Sequence, residues 1–320
     1  MRVDLEEKTP YTKKPLLIRT QVAKLKKRGL IIDDEDVTCE YLSNISYYRL
    51  RAYTYPFQNN TDESADHEFK RKDIHFKDIV DLYCFDKRLR SLVFNAVEKI
   101  EVAIRAKIIQ IYSEATMQSH WFEDNTLFRE KSGKEYDAYA TLLEDILREV
   151  NRNNEDFINH YKNKYSEPKN PPAWITLEVI SFGALSRLYQ LLRKDKNKLS
   201  VANQLGLNSI VVLENWLHAL SNLRNCCAHH SRIWNRRFIV KVLLPTNTNH
   251  LFIDKNNFHK IHTNKLFSYL CCIKYILDII SPNNDFYKNL KVLIDAGGKL
   301  LSLKEMGFPE NWRDFGVWKE

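Results

Sequence analysis

The side chains best suited to chemistry lie between Ser221 and Arg237, which read S-N-L-R-N-C-C-A-H-H-S-R-I-W-N-R-R. These seventeen residues hold four arginines, two adjacent cysteines, two adjacent histidines and three asparagines. Histidine titrates near neutrality and can move a proton between a 2′-hydroxyl and a leaving 5′-oxygen, and arginine offers a fixed fork of donors to phosphate. RNA carries its own nucleophile. The candidate catalytic residues Arg224, Asn225, His229 and His230 therefore predict acid–base cleavage of a phosphodiester, without a metal or cofactor.

The preceding residues predict the helix that positions this motif. Its apolar stripe consists of Ile210, Leu213, Leu217 and Leu220. Arg224 is the next position on the stripe, and a buried guanidinium costs several kcal/mol unless a protein partner or a ligand supplies acceptors. On a regular helix Arg224 and His229 lie ~140° apart, whereas Asn225 and His229 share a face. A helix break near Cys226, or a second copy of the motif across a two-fold axis, would bring them together; the second solution predicts a homodimer.

Other chemistries fit the motif less well. Cys226, His229 and His230 have the spacing for three ligands on one helical face, with Cys271 or Cys272 as a fourth, but no C-x-x-C pair supports a zinc site. Nucleophilic Cys–His catalysis stays open, although adjacent thiols in an apolar helix are usually inert. A third interpretation makes Arg224 and the histidines a buried structural network.

Composition predicts the class of protein and of partner. Few glycines (8) and prolines (9) among 320 residues, with recurring helical periodicity, favour an all-α fold. The net charge of +8 suits a partner rich in phosphate. Isolated and vicinal cysteines imply no disulfide framework, and the N-terminus lacks the apolar run of a signal peptide. We expect a cytoplasmic protein that does not enter a membrane.

The pattern along the chain predicts two domains, with a small N-terminal helical cap at residues 1–75 and a helical domain with a C-terminal packing anchor at 76–320. The predicted helices are Leu16–Arg28, one capped by Asp33 or Asp34, Phe76–Tyr112, Tyr136–Val150, Asn153–Lys164, one unbroken helix after Pro172, and Phe258–Ile280. Phe238–Leu244 is β-branched and ends at Pro245. It predicts a short edge strand or hairpin.

Arginines beside aromatic residues predict an RNA path. Between Tyr47 and Phe57, Arg49 and Arg51 alternate with aromatic side chains, which can stack bases or simply pack as a cap. Arg232, Arg236 and Arg237 belong to the central motif. The expected RNA-binding residues are Arg49, Arg51, Arg105, Arg232, Arg236 and Arg237. Glu101 and Arg105 are also spaced for a surface ion pair, or to orient Arg224 across a helix interface.

At these residues the sequence resembles known families. R-N-C-C-A-H matches the R-x4-6-H signature of HEPN domains, which occur in RNases of toxin–antitoxin, abortive-infection and RNA-guided defence systems. Y-Y-R-L-R-A-Y-T-Y-P-F, F-D-K-R-L-R-S-L-V-F-N, P-P-A-W-I-T-L-E-V-I-S-F-G-A-L-S and L-R-N-C-C-A-H-H-S-R-I-W-N-R resemble bacterial abortive-infection proteins of the AbiD/AbiF type.

The resemblance spans about Lys14 to Trp312 and implies a HEPN helical bundle with a dimeric site. It also implies anti-phage, metal-independent RNA cleavage that leaves 2′,3′-cyclic phosphates, and an associated small non-coding RNA. Arg224 and His229 would take the signature positions, or His230 if five residues intervene. A binding module that holds a structured small RNA without turnover is the alternative function.

Overall fold

The structure, a computed structural model, describes residues 10–60, 67–129 and 137–319. In these ranges the protein is all-α, as predicted, with loops and short 3-10 helices joining the α-helices. Two compact units can be distinguished: Met1–Phe85 with Gly297–Leu301, and Asp86–Ala296 with Ser302–Glu320. The predicted domain boundary at residue 75 stays a prediction. Within the described part of the chain, no helix is both long enough and apolar enough to cross a membrane.

The first unit contains three short helices and the beginning of the longest one. They are α1 (Ile18–Lys27), α2 (Glu35–Ile45), α3 (Tyr47–Thr54) and α4 (Phe76–Thr116), which continues into the second unit. The Asp34 carboxylate accepts the backbone N–H groups of Asp36 and Val37, so Asp34 is the N-cap of α2. This is one of the two caps that the sequence predicted.

Among the described residues, the second unit contains the rest of α4 and eight further α-helices. Its remaining helices are α5 (Ala138–Arg152), α6 (Asp156–Lys164), α7 (Ala173–Val179), α8 (Phe182–Leu191), α9 (Lys196–Asn203), α10 (Ile210–Ala228), α11 (Leu266–Ile280) and α12 (Phe286–Asp295). Helix α10 packs against α8, α9 and α11, while α5 packs against α7 and α8. Near the C-terminal end of the described chain, Met306, Trp312 and Trp318 are all buried.

Two predictions about this unit are wrong. The segment after Pro172 is two helices, α7 and α8, separated at Ile180 and Ser181. The Phe238–Leu244 segment is not an edge strand, and the described residues contain isolated β-bridges but no strand. Its backbone donates from Phe238 to Asn264 and from Val242 to Thr263. Donors four residues apart that reach neighbouring acceptors cannot form the regular ladder of a strand.

A buried lysine joins the ends of three helices in the second unit. Lys198 is 0% exposed, and its Nζ donates to the carbonyls of Gln190 (3.0 Å) and Leu192 (2.8 Å) and to Glu214 Oε1 (2.6 Å). Arg129 also pairs with Glu214. Burial lowers the pKa of Lys198 from its usual 10.5 to about 8. The lysine thus satisfies the C-terminal carbonyls of α8 while holding α9 to α10.

We expect Lys198→Met to lower the free energy of unfolding by about 3 kcal/mol at pH 7, because it leaves helix carbonyls and Glu214 short of donors. The folded pKa lies below the unfolded one, so the unfolded state holds more protons between about pH 8 and 10.5. Wild-type stability relative to Lys198→Met should therefore rise across that window. Urea unfolding at several pH values measures both effects. Lys196→Met, an exposed change on the same helix, should show neither.

Candidate active site at the end of helix α10

The central motif lies where α10 ends, and a histidine makes the terminating turn. The N–H of His230 donates to the carbonyl of Cys227, and the N–H of Ser231 donates to that of Cys226. These two bonds form a Schellman motif, in which His230 takes the left-handed position with φ +55°. Glycine is the usual residue there because it has no Cβ penalty. The helix is unbroken at Cys226, where a break was one of the two solutions considered, and it ends after Ala228 in this turn.

Arg224 lies in the last turns of α10 and is only loosely paired. Its guanidinium carbon is 5.5 Å from the centre of the Phe94 ring, and its Nε is 3.9 Å from Glu101 Oε2. The side chain is 37% exposed, and among the described residues it donates no hydrogen bond. Stacking on Phe94 and the distant carboxylate orient the guanidinium while its donors remain available.

Glu101 connects Arg224 to a second, buried arginine. Glu101 Oε1 accepts from Arg105 Nη2 at 2.7 Å. Burial raises the pKa of Glu101 above its usual value, while Arg105 and Arg224 oppose that shift. Of the two roles considered for the Glu101–Arg105 pair, a surface ion pair or orientation of Arg224, the structure supports the second.

The assignment of Arg105 as an RNA-binding residue must be corrected. Arg105 is 6% exposed, and its guanidinium donates to the carbonyls of Leu177 (2.6 Å), Glu178 and Ile180 (3.2 Å). These are carbonyls at the C-terminal end of α7, which lack partners within the helix. Arg105 therefore caps α7 and stabilises the break before α8, and it is too buried to reach RNA directly.

A cleft of 420 Å³ lies between α4 and the end of α10. Phe94, Arg90 and Lys87 line it from α4, and Cys227 and His230 line it from the motif. Phe94 is also the ring on which Arg224 stacks, so one aromatic side chain links the cleft to the arginine. The cleft lining carries positive charge.

The two histidines lie differently with respect to this cleft. His229 is the C-cap of α10, and both it and Asn225 are exposed and outside the residues that line the cleft. Within one chain, the cleft therefore contains His230 rather than His229. A buried structural network of Arg224 and the histidines is not what the structure shows, because both histidine side chains are exposed and Arg224 is partly so.

A buried carboxylate holds the loop that follows the turn. Asp86 is 0% exposed, and its Oδ1 accepts the backbone N–H groups of Ile233 (3.2 Å) and Trp234 (2.7 Å). Its Oδ2 accepts from Arg90, which lines the cleft. The carboxylate therefore ties α4, the cleft wall and the loop after His230 together. Sequence reasoning missed this pair, although Asp86 stands at stripe spacing between Leu82 and Leu89.

Arginines alternate with aromatic contacts along the same loop. The guanidinium of Arg232 lies over Trp234 at 5.8 Å, and that of Arg236 lies over Phe238 at 6.0 Å. Arg237 is exposed. Arg232 and Arg236 are partly exposed. All three expected RNA-binding residues therefore reach the surface directly after the turn.

The other two expected RNA-binding residues belong to the first unit. Arg49 is exposed on α3, and Arg51 lies over the exposed ring of Tyr55 at 5.2 Å. Tyr53 is buried and makes an edge contact with Tyr83. The aromatic segment thus serves partly as a packed cap and partly as a surface of stacked arginine and tyrosine.

The state of the cysteines bears on two alternative chemistries, Cys–His nucleophilic catalysis and zinc binding. All six cysteines are free thiols. Burial raises the pKa of Cys227 to about 12, so its nucleophilic thiolate form is disfavoured. Burial also raises the pKa values of Cys271 and Cys272. Over the described ranges, no three His, Cys, Asp or Glu side chains are placed to hold a metal ion.

Comparison with protein families places the motif in its context. The family model described as Abi-like protein matches residues 40–235. The chain belongs to the Abi-like protein family. It is therefore a bacterial abortive-infection protein, and the matched region includes Asp86, Glu101 and the whole turn at the end of α10. Searches of curated proteins and of solved structures gave no significant match.

We expect the buried pair of this Abi-like protein to behave as one unit. Asp86→Ala and Arg90→Ala should each cost about 3–5 kcal/mol, because each leaves a buried charge without its partner. The double variant should cost at least about 1 kcal/mol less than the sum. Urea unfolding of the four proteins measures the coupling. Strict additivity would contradict the proposed anchoring role, as would unchanged hydrogen exchange at the Ile233 and Trp234 amides in Asp86→Ala.

Proposed function

We propose that this abortive-infection protein is a metal-independent endoribonuclease of the HEPN type, which cleaves RNA during phage infection. The observation that carries the proposal is the open guanidinium of Arg224. It is held by Phe94 and Glu101 beside a positively charged cleft that contains His230. An oriented arginine with available donors and a histidine are groups that can together catalyse phosphodiester cleavage.

The reaction would proceed by attack of the RNA on itself. A histidine accepts the 2′-hydroxyl proton as the 2′-oxygen bonds to phosphorus, and the bond from phosphorus to the 5′-oxygen breaks. The leaving 5′-oxygen takes a proton, which leaves a 2′,3′-cyclic phosphate on one product. Arg224 stabilises the charge that grows on the phosphoryl oxygens. Asn225 and His229, which share a face, would add a donor and a second acid–base group.

Resemblance to the AbiD/AbiF type extends the proposal to partners. A homodimer would place the exposed Asn225 and His229 of one copy beside Arg224 of the other, which solves the angular problem on α10. Arg49, Arg51, Arg232, Arg236 and Arg237 would contact RNA, either the substrate or an associated small non-coding RNA.

The first test is cleavage of total cellular RNA by the purified protein in EDTA. Wild type should produce fragments that end in 2′,3′-cyclic phosphates, while Arg224→Ala should lose cleavage and weaken RNA binding. For Arg224→Ala, the slope of the logarithm of the RNA-binding constant against the logarithm of the salt concentration should become shallower by about 0.7, which is the contribution of one phosphate on a single strand. His230→Ala should lose cleavage but keep most of the affinity, because a neutral imidazole contributes little to phosphate binding.

His229→Ala serves as the matched control for the assignment within one chain. Cleavage lost in His229→Ala but kept in His230→Ala would replace His230 by its neighbour as the acid–base group. If neither wild type nor variants cut RNA that still co-purifies with them, the nuclease proposal fails and a module that only holds RNA replaces it. Thermal melting of each variant separates these results from unfolding.

Mixing two inactive variants tests whether the site is shared between copies. Arg224→Ala and the inactive histidine variant, mixed and exchanged, should recover part of the activity if arginine and histidine come from different copies. In that case one of the two sites in each mixed dimer is intact. No recovery in a mixture shown to contain mixed dimers would place both groups on one chain. A monomer in solution that cleaves RNA would refute the shared site altogether.

A further inference from the structure

A basic groove lies beside the C-terminal segment, outside the residues that the family model covers. It has a volume of 670 Å³ and is lined by Lys260, Lys304 and Arg313, with Glu310 as an acid among the described lining residues. All four side chains are exposed. A concave surface with excess positive charge is the electrostatic feature expected of a site for a polyanion.

One of these residues, Arg313, packs against a buried aromatic ring. The guanidinium of Arg313 lies 4.6 Å from the centre of the Trp312 ring. Trp312 is 2% exposed and is held by edge contacts with Phe308 and Trp318. The guanidinium therefore packs against an immobile indole, while Arg313 itself is exposed. Guanidinium planes held in this way can stack an unpaired nucleobase.

A lysine connects the groove to the loop of the candidate active site. Lys265 Nζ donates to Asn235 Oδ1 and to the carbonyl of Glu305, both at 2.9 Å. Asn235 belongs to the loop after His230, and Glu305 follows Lys304 of the groove. A Cβ on Gly307, which lines the groove, would be 2.5 Å from the Cβ of Lys265. The groove wall is therefore packed directly onto the lysine that holds the loop.

Lys265 also lies within electrostatic range of arginines on the loop after the turn. Burial lowers the pKa of Lys265; the charge of Glu305 opposes this shift, and the charges of Arg237 and Arg232 add to it. Those arginines lie on the loop after the turn. Lys265 therefore lies near the charges of the loop arginines and also contacts Glu305, which follows Lys304 of the groove.

We propose that the groove binds the single-stranded RNA that continues from the scissile phosphate. Lys260 and Lys304 would contact its phosphates, and Arg313 would stack one of its bases. The proposal rests on the proposed function in taking RNA as the ligand. An exposed guanidinium plane favours a single strand, because paired bases in a duplex do not offer a free face.

The test compares the binding of short and long RNA. Uncleavable 2′-O-methyl RNA of about 3 and about 12 nucleotides is titrated against the protein over a range of salt concentrations. Lys260→Glu with Lys304→Glu should weaken binding of the long RNA by about tenfold or more and flatten its salt dependence by about 1.4. Binding of the short RNA should be unchanged. Arg313→Lys, which keeps the charge but loses the plane, should weaken long-RNA binding by about fivefold.

The matched control reverses two lysines elsewhere in the same unit. Lys288 and Lys291 are exposed on α12, so Lys288→Glu with Lys291→Glu makes the same change in net charge. Long-RNA affinity should change less than about twofold in this control. Equal losses in the two double variants would overturn the groove as a specific site. Equal losses for short and long RNA, or equally tight and equally sensitive binding of duplex DNA, would also overturn it.

Cleavage assays distinguish this proposal from the proposed function. If wild type binds long RNA through the groove but never cuts RNA, the proposed RNA-binding groove is supported and the proposed nuclease activity is refuted. If wild type cuts RNA while Lys260→Glu with Lys304→Glu binds both lengths as wild type does, the nuclease stands and the groove fails. Melting temperatures equal to wild type show that the exposed substitutions have not unfolded the protein.

Discussion

The candidate site depends on one buried carboxylate, that of Asp86. An ionised carboxylate without partners in a protein interior would cost several kcal/mol. Asp86 avoids this cost by accepting two backbone N–H groups with one oxygen and the guanidinium of Arg90 with the other. The same contacts determine where the chain goes after α10, and Arg90 forms part of the cleft wall. The contacts of Asp86 therefore both compensate its buried charge and determine the shape of the cleft.

Local patterns predicted the helices well, because the apolar residues on the buried face of an amphipathic helix recur every three or four positions in the sequence. The stripe on α4 and the cap at Asp34 are examples. Arg105 shows where that reasoning ends. Its carbonyl acceptors lie 72 to 75 residues away along the chain, so no local pattern could show that it is buried. The same contacts stabilise the break between α7 and α8, which explains why one unbroken helix was predicted there.

The turn at His230 escaped prediction for a different reason. A Schellman turn is normally recognised by its glycine, and this sequence has histidine at that position. A left-handed residue with a Cβ costs about 1 kcal/mol or more relative to glycine. The strained residue is also the histidine that lines the cleft. The angular relation between Arg224 and the histidines could be calculated from helix geometry, but the direction taken after the helix could not.

The position of the Glu101 carboxylate beside Arg224 affects how an anion would bind in the site. Its carboxylate already lies between Arg105 and Arg224, and its pKa is raised by burial. A phosphate that approaches Arg224 would compete with this carboxylate and make its ionised form still less favourable. Binding of a phosphate there would raise the pKa of Glu101 further, which links phosphate binding to proton uptake at pH values near that pKa. Its measured enthalpy would vary with the ionisation enthalpy of the buffer, and would be independent of the buffer if Glu101 kept its charge.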